Sequence, residues 1–153
     1  LRALDVGWDS ESWTWPMRNA VGAIVGIRRR FPDGSKKSVH GGKEGLFYGE
    51  LETGGTIFIT EGASDCASLL TLGLQAIGRP SCSGGTAFLV ALCQGYYTVI
   101  IADSDCPGLR GARELKAKLP NAKIIVPPAG KDIREFINKH GGTREDILNQ
   151  VKQ

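Results

Sequence analysis

From residue 56 onward, short apolar runs alternate with segments of helical length. This alternation constrains the fold more than any other feature, because strands joined by right-handed helical crossovers form a parallel sheet. It predicts strands at residues 57–60, 75–78, 98–102 and 123–126, and helices at residues 64–72, 87–93, 107–119 and 132–139 and after residue 143.

The first third of the chain has strand-like patterns without helices. Three runs alternate in the manner of strands: residues 13–18, 23–31 and 36–40. A Pro-Asp-Gly-Ser turn at residues 32–35 separates the last two. We therefore predict a small antiparallel subdomain over residues 1–54 and an α/β body over residues 55–153. A chain of 153 residues has the length of one compact domain with a small appendage.

Carboxylates follow two of the predicted parallel strands. Glu61 comes directly after the first strand, and Asp103 and Asp105 come after the strand at residues 98–102. Ligands of parallel α/β sheets collect at the carboxyl ends of the strands, so these three acids should surround one point. Converging carboxylates require a cation, and carboxylate oxygens are ligands that Mg²⁺ prefers.

Most of these acids also have a simpler explanation. Asp105 and a later acid, Asp132, each stand where a helix N-cap is expected. Asp65, four residues after Glu61, can support the site or only complement the helix dipole. Glu61 fits such an explanation less well, because Glu is a poor N-cap. The joint placement of the acids is what favours a metal site.

Positive charge is concentrated before the α/β body. Residues 17–43 contain seven Lys or Arg residues and one acid, although the whole chain carries a net charge of +3. Three successive arginines repel one another unless an anion is bound, so we predict an anion-binding patch, with a solvated surface as the alternative. By the period of two in a strand, Arg28 and Arg30 share a face and Arg29 points the other way.

The cysteines and the apolar runs of the sequence indicate the cellular compartment. Four widely spaced cysteines lack the close pairs of a zinc site, and they suit reduced thiols in a cytoplasmic protein. No run has the length of a membrane span, and there is no signal sequence. The chain begins at Leu1 without Met, so we expect a piece of a longer protein.

The sequence contains three tryptophans, Trp8, Trp13 and Trp15. Their side chains can stack on bases, but packing in the core is the commoner use of an aromatic residue in a meander.

Three motifs together resemble the Toprim domain, which bacterial and phage primases share with type IA and type II topoisomerases and related nucleases. The resemblance covers residues 56–139. The motifs are Glu61-Gly62 after a strand, Asp103-x-Asp105 after another strand, and Gly130-Lys131-Asp132 before a helix. Pro107-Gly108 stands where the family usually has a small residue and Gly. The resemblance implies a Rossmann-like parallel sheet with helices on both faces.

The resemblance also implies roles for the acids. Glu61 matches the glutamate of the family, and Asp103 and Asp105 match its metal-binding aspartate pair. Asp65 and Asp132 fall on acidic positions of the primase version of the domain. All five acids are therefore expected near Mg²⁺ or Mn²⁺, with Glu61, Asp103 and Asp105 as the catalytic residues.

The basic first third is similar to the subdomain that precedes Toprim in primases of the bacterial DnaG type. In that family a strand Arg and a later Lys hold phosphates of the template or the nucleotide. The matching positions are Arg30 and Lys37, and Arg28 is a further candidate on the same strand face. The resemblance therefore implies a primase core that synthesises RNA primers, with single-stranded DNA and nucleoside triphosphates as partners, alongside a helicase and a zinc-binding or helical domain.

Two other functions suit the same motifs. A Toprim nuclease uses such metals to cleave a phosphodiester, and a non-catalytic Toprim module binds nucleic acid without reacting. A topoisomerase requires a tyrosine-bearing domain, which we do not find in this sequence. The basic subdomain favours the primase.

Overall fold

The computed structural model describes residues 1–152, and Gln153, the last residue of the predicted body, lies outside the described residues. The described chain contains two four-stranded sheets. The first is antiparallel and the second is parallel, with helices between the strands of the second. The predicted α/β fold class is therefore confirmed.

The antiparallel sheet has its strands in chain order. They are β1 (Gly7–Trp8), β2 (Trp13–Arg18), β3 (Ile24–Arg30) and β4 (Lys36–Ser38). The sequence did not predict β1, because two residues are too short to show a period. The loop that joins β1 to β2 is closed by Asp9, whose carboxylate accepts hydrogen bonds from the Ser12 backbone N–H at 2.8 Å and the Glu11 N–H at 3.2 Å.

The parallel sheet has the strand order β6-β5-β7-β8. Its strands are β5 (Thr56–Thr60), β6 (Ala76–Gly78), β7 (Tyr97–Ile101) and β8 (Lys123–Ile125). The helices are α1 (Ala63–Thr71), α2 (Thr86–Leu92), α3 (Cys106–Lys118), α4 (Ile133–His140) and α5 (Arg144–Lys152). Each helix and strand predicted in this half is present, with ends that differ by at most one residue, as expected for elements with clear flanking signals.

Apolar side chains fill both faces of the parallel sheet. On one face, Phe58 and Val99 pack with α1, α4 and α5. On the other face, Ile57, Ile59 and Ile100 pack with α2 and α3. A parallel strand covered on both faces must be apolar at successive positions, which explains the unbroken apolar runs in the sequence. Helices therefore lie on both faces, as predicted.

A short segment around Leu46 and Phe47 joins the two sheets through the backbone. Leu46 exchanges two hydrogen bonds with Arg18 at the end of β2, at 2.7 and 2.8 Å. Phe47 exchanges two with Gly78 at the end of β6, at 2.9 and 2.8 Å. Trp15 of the first sheet lies in the same apolar cluster as residues of the second sheet. The core thus crosses the proposed division at residue 54, and that division stays a prediction.

The four cysteines are free thiols, as expected from their spacing. Burial raises the pKa of the Cys66 thiol to about 12. This side chain packs in the core from the buried face of α1, and its Sγ donates to the carbonyl oxygens of Phe47 and Ala76 at 3.4 Å. Among residues 1–152, no helix combines the length and the apolar character that crossing a membrane requires.

We predict that Leu69→Ala lowers the free energy of unfolding by about 2–5 kcal/mol, because a fully buried Leu leaves a cavity when it is truncated. Leu69 is 0% exposed and anchors α1 to the core. Chemical denaturation measures the loss. Val126→Ala is the matched control, since Val126 is 37% exposed and its truncation should cost less than about 0.5 kcal/mol. Equal losses in the two variants would contradict this packing.

Candidate functional site

The acids predicted from the sequence gather at one edge of the parallel sheet. Glu61 follows β5, and Asp103 follows β7, its neighbour in the sheet. Both side chains line a pocket at the carboxyl ends of the strands, together with Arg79 after β6. We call this pocket, with Glu61, Arg79 and Asp103 as its charged residues, the acidic pocket.

Asp103 lies at the electrostatic centre of the acids. Burial and, after it, the negative charges of four other acids together raise the pKa of Asp103 to about 7. Those acids are Glu61, Asp65, Asp132 and Asp105. The five acids named from the sequence therefore act on one point, and that point favours positive charge.

Asp105 and Asp132 each cap a helix, as the simpler explanation of the sequence predicted. Asp105 accepts a hydrogen bond from the backbone N–H of Gly108 at 2.9 Å, and its other oxygen lies 3.4 Å from the Lys131 ammonium. The bond from Gly108 lowers the pKa of the Asp105 carboxyl, with Lys131 adding to the effect. Asp132 accepts a hydrogen bond from the Glu135 N–H at 2.7 Å. These carboxylates stabilise the starts of α3 and α4.

Asp65 lies in the first turn of α1 and is held by the start of α4. It is 6% exposed, and its carboxylate accepts a hydrogen bond from the backbone N–H of Arg134 at 3.3 Å. Burial and, after it, the negative charge of Asp132 together raise the pKa of Asp65 to about 6. Asp65 therefore links α1 to α4 while adding negative charge behind Asp103.

Glu61 and Asp103 differ from the other three acids in having no polar partner. Within residues 1–152, neither side chain accepts a hydrogen bond or forms an ion pair. Burial raises the pKa of Glu61, Asp105 raises it further, and Arg79, Lys131 and Lys36 oppose the shift. Two carboxylates left unpaired at the mouth of a pocket fit a Mg²⁺ ion, which usually takes one or two carboxylates and completes its octahedron with water and phosphate oxygens.

The five acids do not form one ligand sphere. In the described part of the chain, no three His, Cys, Asp or Glu side chains have the spacing of a metal site. The reason is local: caps and ion pairs hold Asp105 and Asp132, and the α4 backbone holds Asp65. The geometry therefore singles out Glu61 and Asp103 as the pair available to a cation.

Arg79 is a pocket residue that the sequence analysis missed. It is 5% exposed, and burial lowers the pKa of its guanidinium. Its Nε donates to the Gly84 carbonyl at 3.1 Å and its Nη2 to the Thr86 hydroxyl at 3.3 Å. It thereby holds the Ser/Gly loop before α2 against the sheet edge. The rule that identified Glu61, a charged residue directly after an apolar strand, also applies to Arg79.

A groove between the two sheets carries the positive charge. It is lined by Trp15, Arg28, Arg30 and Lys36 from the antiparallel sheet and by Gly62 and Ser64 beside α1. The Arg30 guanidinium reaches the Ser64 hydroxyl at 3.4 Å. We call this the basic groove. The structure brings Arg28 and Arg30 together on one face, as the period of two predicts.

The strand register places Lys36, and not Lys37, on this face. Lys36 lies directly opposite Arg30 and Lys37 lies opposite Arg29, and directly opposed residues share a face of the sheet. Arg29 points away from the groove and pairs with Asp9 at 2.7 Å. Lys37 lies on that outer face, 5.5 Å from the centre of the Phe31 ring.

The three tryptophans have two different environments. Trp15 is 8% exposed and packs in the core, as expected for an aromatic residue of a meander. Trp8 and Trp13 are 50% and 46% exposed, so the expectation of core packing is wrong for these two. They lie near the outer edge of the antiparallel sheet, beyond the reach of the shared core.

Comparison with known sequences finds two informative relatives, while no protein-family model matches the chain. The gene 57 protein of Mycobacterium phage D29 is 33% identical over 142 residues, which cover 89% of this chain and 91% of that protein. A DNA primase of Clostridium acetobutylicum is 31% identical over 145 residues, which cover 83% of this chain and 24% of that primase. The chain thus spans about a quarter of the bacterial relative.

Solved structures share the whole fold. The primase fragment of the bacteriophage T7 primase-helicase protein superposes with a TM-score of 0.72 at 22% identity, covering 98% of this chain and 68% of that one. The catalytic domain of a DnaG primase bound to single-stranded DNA gives a TM-score of 0.70 at 19% identity, covering 94% of this chain and 51% of that one. The chain therefore has the fold of primase catalytic fragments.

We predict that Asp103→Asn and Asp105→Asn change stability in opposite directions in EDTA at pH 8. Asp103→Asn should raise the free energy of unfolding by about 1–3 kcal/mol, because it removes a charge that burial and its neighbours disfavour. Asp105→Asn should lower it, because that charge is favourable beside Lys131 and the start of α3. Chemical denaturation measures both changes.

The Asp103 effect should depend on pH with a definite sign. A carboxyl whose pKa is raised in the folded state destabilises the fold as pH rises from the unfolded value of 3.8 to the folded value of about 7. The gain from Asp103→Asn should therefore be complete above pH 7 and fade towards pH 4. A gain that is the same at both ends of this range would contradict the crowding of acids.

Proposed function

The chain belongs to the same family as the gene 57 protein of Mycobacterium phage D29, and we propose that it is the catalytic core of a DNA primase built on a Toprim domain. Its bacterial relative and its structural neighbours point to a DNA primase. The observation that carries the proposal is the pairing of two surfaces. Two unpartnered carboxylates, Glu61 and Asp103, end adjacent strands, and the basic groove lies beside them.

The reaction we propose is nucleotidyl transfer from a nucleoside triphosphate to a ribonucleotide 3′-hydroxyl, templated by single-stranded DNA. Glu61 and Asp103 would hold Mg²⁺ or Mn²⁺. Such an ion, when bound, supplies positive charge against the triphosphate and the leaving pyrophosphate. Glu61 either holds the ion or accepts the proton of the attacking hydroxyl, as the Toprim resemblance suggests for its glutamate.

The other acids act on the site from a distance. Asp105 and Asp132 fix the starts of α3 and α4, and Asp65 ties α1 to α4. These contacts hold the two strand ends in place while adding negative charge around Asp103. A cation that screens this charge is therefore favoured beside Asp103. Any of the three that gains a free oxygen on metal binding would extend the ligand set to the one that the resemblance implies.

The basic groove would hold phosphates. Arg28, Arg30 and Lys36 project into it, and Lys36 lies near enough to Glu61 to lower the pKa of that carboxyl. Phosphates bound in the basic groove would therefore lie next to the triphosphate bound at the acidic pocket. Lys37, which the family resemblance suggests for this role, lies on the opposite face of the strand. Substituting Lys36 and Lys37 separately therefore tests which face of the antiparallel sheet binds phosphates.

Further partners follow from the relatives. The T7 structure is a fragment of a primase-helicase protein, and the Clostridium primase extends far beyond its aligned quarter. We propose accordingly that a helicase and a zinc-binding or helical domain act together with this core in the full-length protein, and that it works in DNA replication in the cytoplasm.

We predict that Asp103→Asn abolishes nucleotide incorporation in the presence of Mg²⁺ or Mn²⁺, a loss of more than about a hundredfold, because one of two available metal ligands is lost. Extension of a labelled primer on a single-stranded template measures it. The protein should remain folded and should still bind the template. Asp33→Asn, in the exposed turn after β3, is the matched control and should retain activity.

The same assay distinguishes the proposal from its alternatives. Full activity of Asp103→Asn would remove the metal centre from the mechanism. Cleavage of single-stranded DNA by the wild-type protein with Mn²⁺ but without nucleotides would indicate a nuclease. Binding of DNA with no divalent metal detected by calorimetry would indicate a non-catalytic module.

We predict that Arg30→Ala and Lys36→Ala each weaken binding of single-stranded DNA and flatten its salt dependence. Each phosphate contact contributes about 0.7 to the slope of log K against log salt on single strands, and each variant should lose about that amount. Fluorescence anisotropy at several salt concentrations measures the slope. Lys37→Ala is the matched control, with the same side chain one residue away on the outer face. A lower slope for Lys37→Ala alone would assign the phosphates to that face.

A further inference from the structure

Four side chains form one row across the antiparallel sheet. Trp8 lies opposite Trp13, Trp13 lies opposite Arg30, and Arg30 lies opposite Lys36. Residues directly opposite one another in antiparallel strands project from the same face. With strands about 4.8 Å apart, the row is about 14 Å long. It begins at two indoles, passes Arg30, and ends at Lys36, which lines the basic groove beside Gly62 and Ser64.

The two indoles in this row are exposed without packing into the core. Trp8 and Trp13 are 50% and 46% exposed, and their ring centres lie 5.1 Å apart in an edge-to-face arrangement at 63°. Trp15, which projects from the same face one level further along β2, is buried beneath the basic groove. The core that the two sheets share therefore extends to Trp15 on this face, and the indoles of Trp8 and Trp13 lie outside it. Two large aromatic side chains exposed side by side form an apolar surface that is available to a ligand.

The charge beside the indoles decides what kind of ligand suits them. The nearby acids Asp9 and Glu11 are both paired with Arg29, at 2.7 and 3.0 Å. The row itself continues into Arg30 and Lys36, neither of which forms an ion pair within residues 1–152. An apolar protein partner would leave these two cations uncompensated. A single strand of nucleic acid offers both flat bases and a negative backbone, so it complements the whole row.

We propose that the row from Trp8 to Lys36 is a track for single-stranded DNA, on which bases stack against Trp8 and Trp13 while the following phosphates meet Arg30 and Lys36. The track delivers the strand to the acidic pocket from the outer edge of the antiparallel sheet. It rests on the proposed function, in that single-stranded DNA is the template. It adds a base-stacking site to phosphate contacts that by themselves would not select unpaired bases.

The test measures the affinity of the full chain for fluorescein-labelled oligothymidylate. Trp8→Ala and Trp13→Ala should each weaken binding by about tenfold, since stacking of a base on an aromatic ring is worth about that factor. Trp13→Phe should keep most of the affinity, and Trp13→Leu should lose it. Tyr97→Ala is the matched control, because Tyr97 is 47% exposed but begins β7, at the end of the strand opposite Asp103.

Two readouts separate stacking from a structural role. The salt slope should be unchanged in Trp13→Ala, because no phosphate contact is lost, whereas Arg30→Ala reduces it. An oligonucleotide of abasic sites should bind the wild-type protein and Trp13→Ala equally. Thermal unfolding of the variants should match that of the wild-type protein, since Trp13 is outside the core clusters.

The track is overturned if both tryptophan variants bind oligothymidylate like the wild-type protein, or if they weaken binding of the abasic strand equally. A dimer that dissociates on Trp13→Ala, with DNA affinity unchanged, would assign the indoles to a contact between copies of the chain and also overturn it. These failures leave the proposed primase function standing. A wild-type protein that binds no single-stranded DNA would remove the template from that function as well.

Discussion

The backbone bridge at Leu46 and Phe47 is the interaction on which the arrangement of the site depends. Its four hydrogen bonds, at 2.7–2.9 Å, tie the end of β2 to the end of β6. Backbone hydrogen bonds between strands leave little freedom in spacing or angle, so the arginine-bearing face of one sheet is held against the acidic edge of the other. The basic groove exists because of this connection, since its walls come from both sheets.

Within that frame, local backbone contacts determine how each acid behaves. Asp103 and Asp105 are two residues apart, yet burial and neighbouring charge raise the pKa of Asp103, while the Gly108 N–H and Lys131 lower that of Asp105. The start of α3 stabilises the charge of Asp105, whereas the charge of Asp103 is repelled by the neighbouring acids. Carboxyl groups with pKa values raised by burial and like charge cluster at functional centres, where some stability is given up for function.

Much of the fold was predictable because the parallel half obeys strong local rules. Buried strands are apolar throughout, helices begin at caps such as Asp132, and charged residues after a strand must meet at one edge. The sequence was a poor guide where a shift of one residue in strand register decides which side chain shares a face with Arg30. Two hydrogen bonds close the turn between β3 and β4: the Phe31 N–H donates to the Ser35 carbonyl at 3.0 Å, and the Gly34 N–H donates to the Phe31 carbonyl at 2.9 Å. The length of this turn places Lys36 opposite Arg30. A turn one residue longer would have placed Lys37 there.

The sequence by itself determined the α/β class, the order of helices and strands, and the convergence of Glu61 and Asp103, because these follow from periodicity and chain direction alone. Only the tertiary structure decided which lysine shares the face of Arg30, that Arg79 is buried beside the acids, and that Trp8 and Trp13 stay exposed while Trp15 does not. These outcomes depend on cross-strand register and on how far the shared core extends. The register and the extent of the core are set by contacts between segments that are distant in sequence, and a local sequence pattern does not predict such contacts.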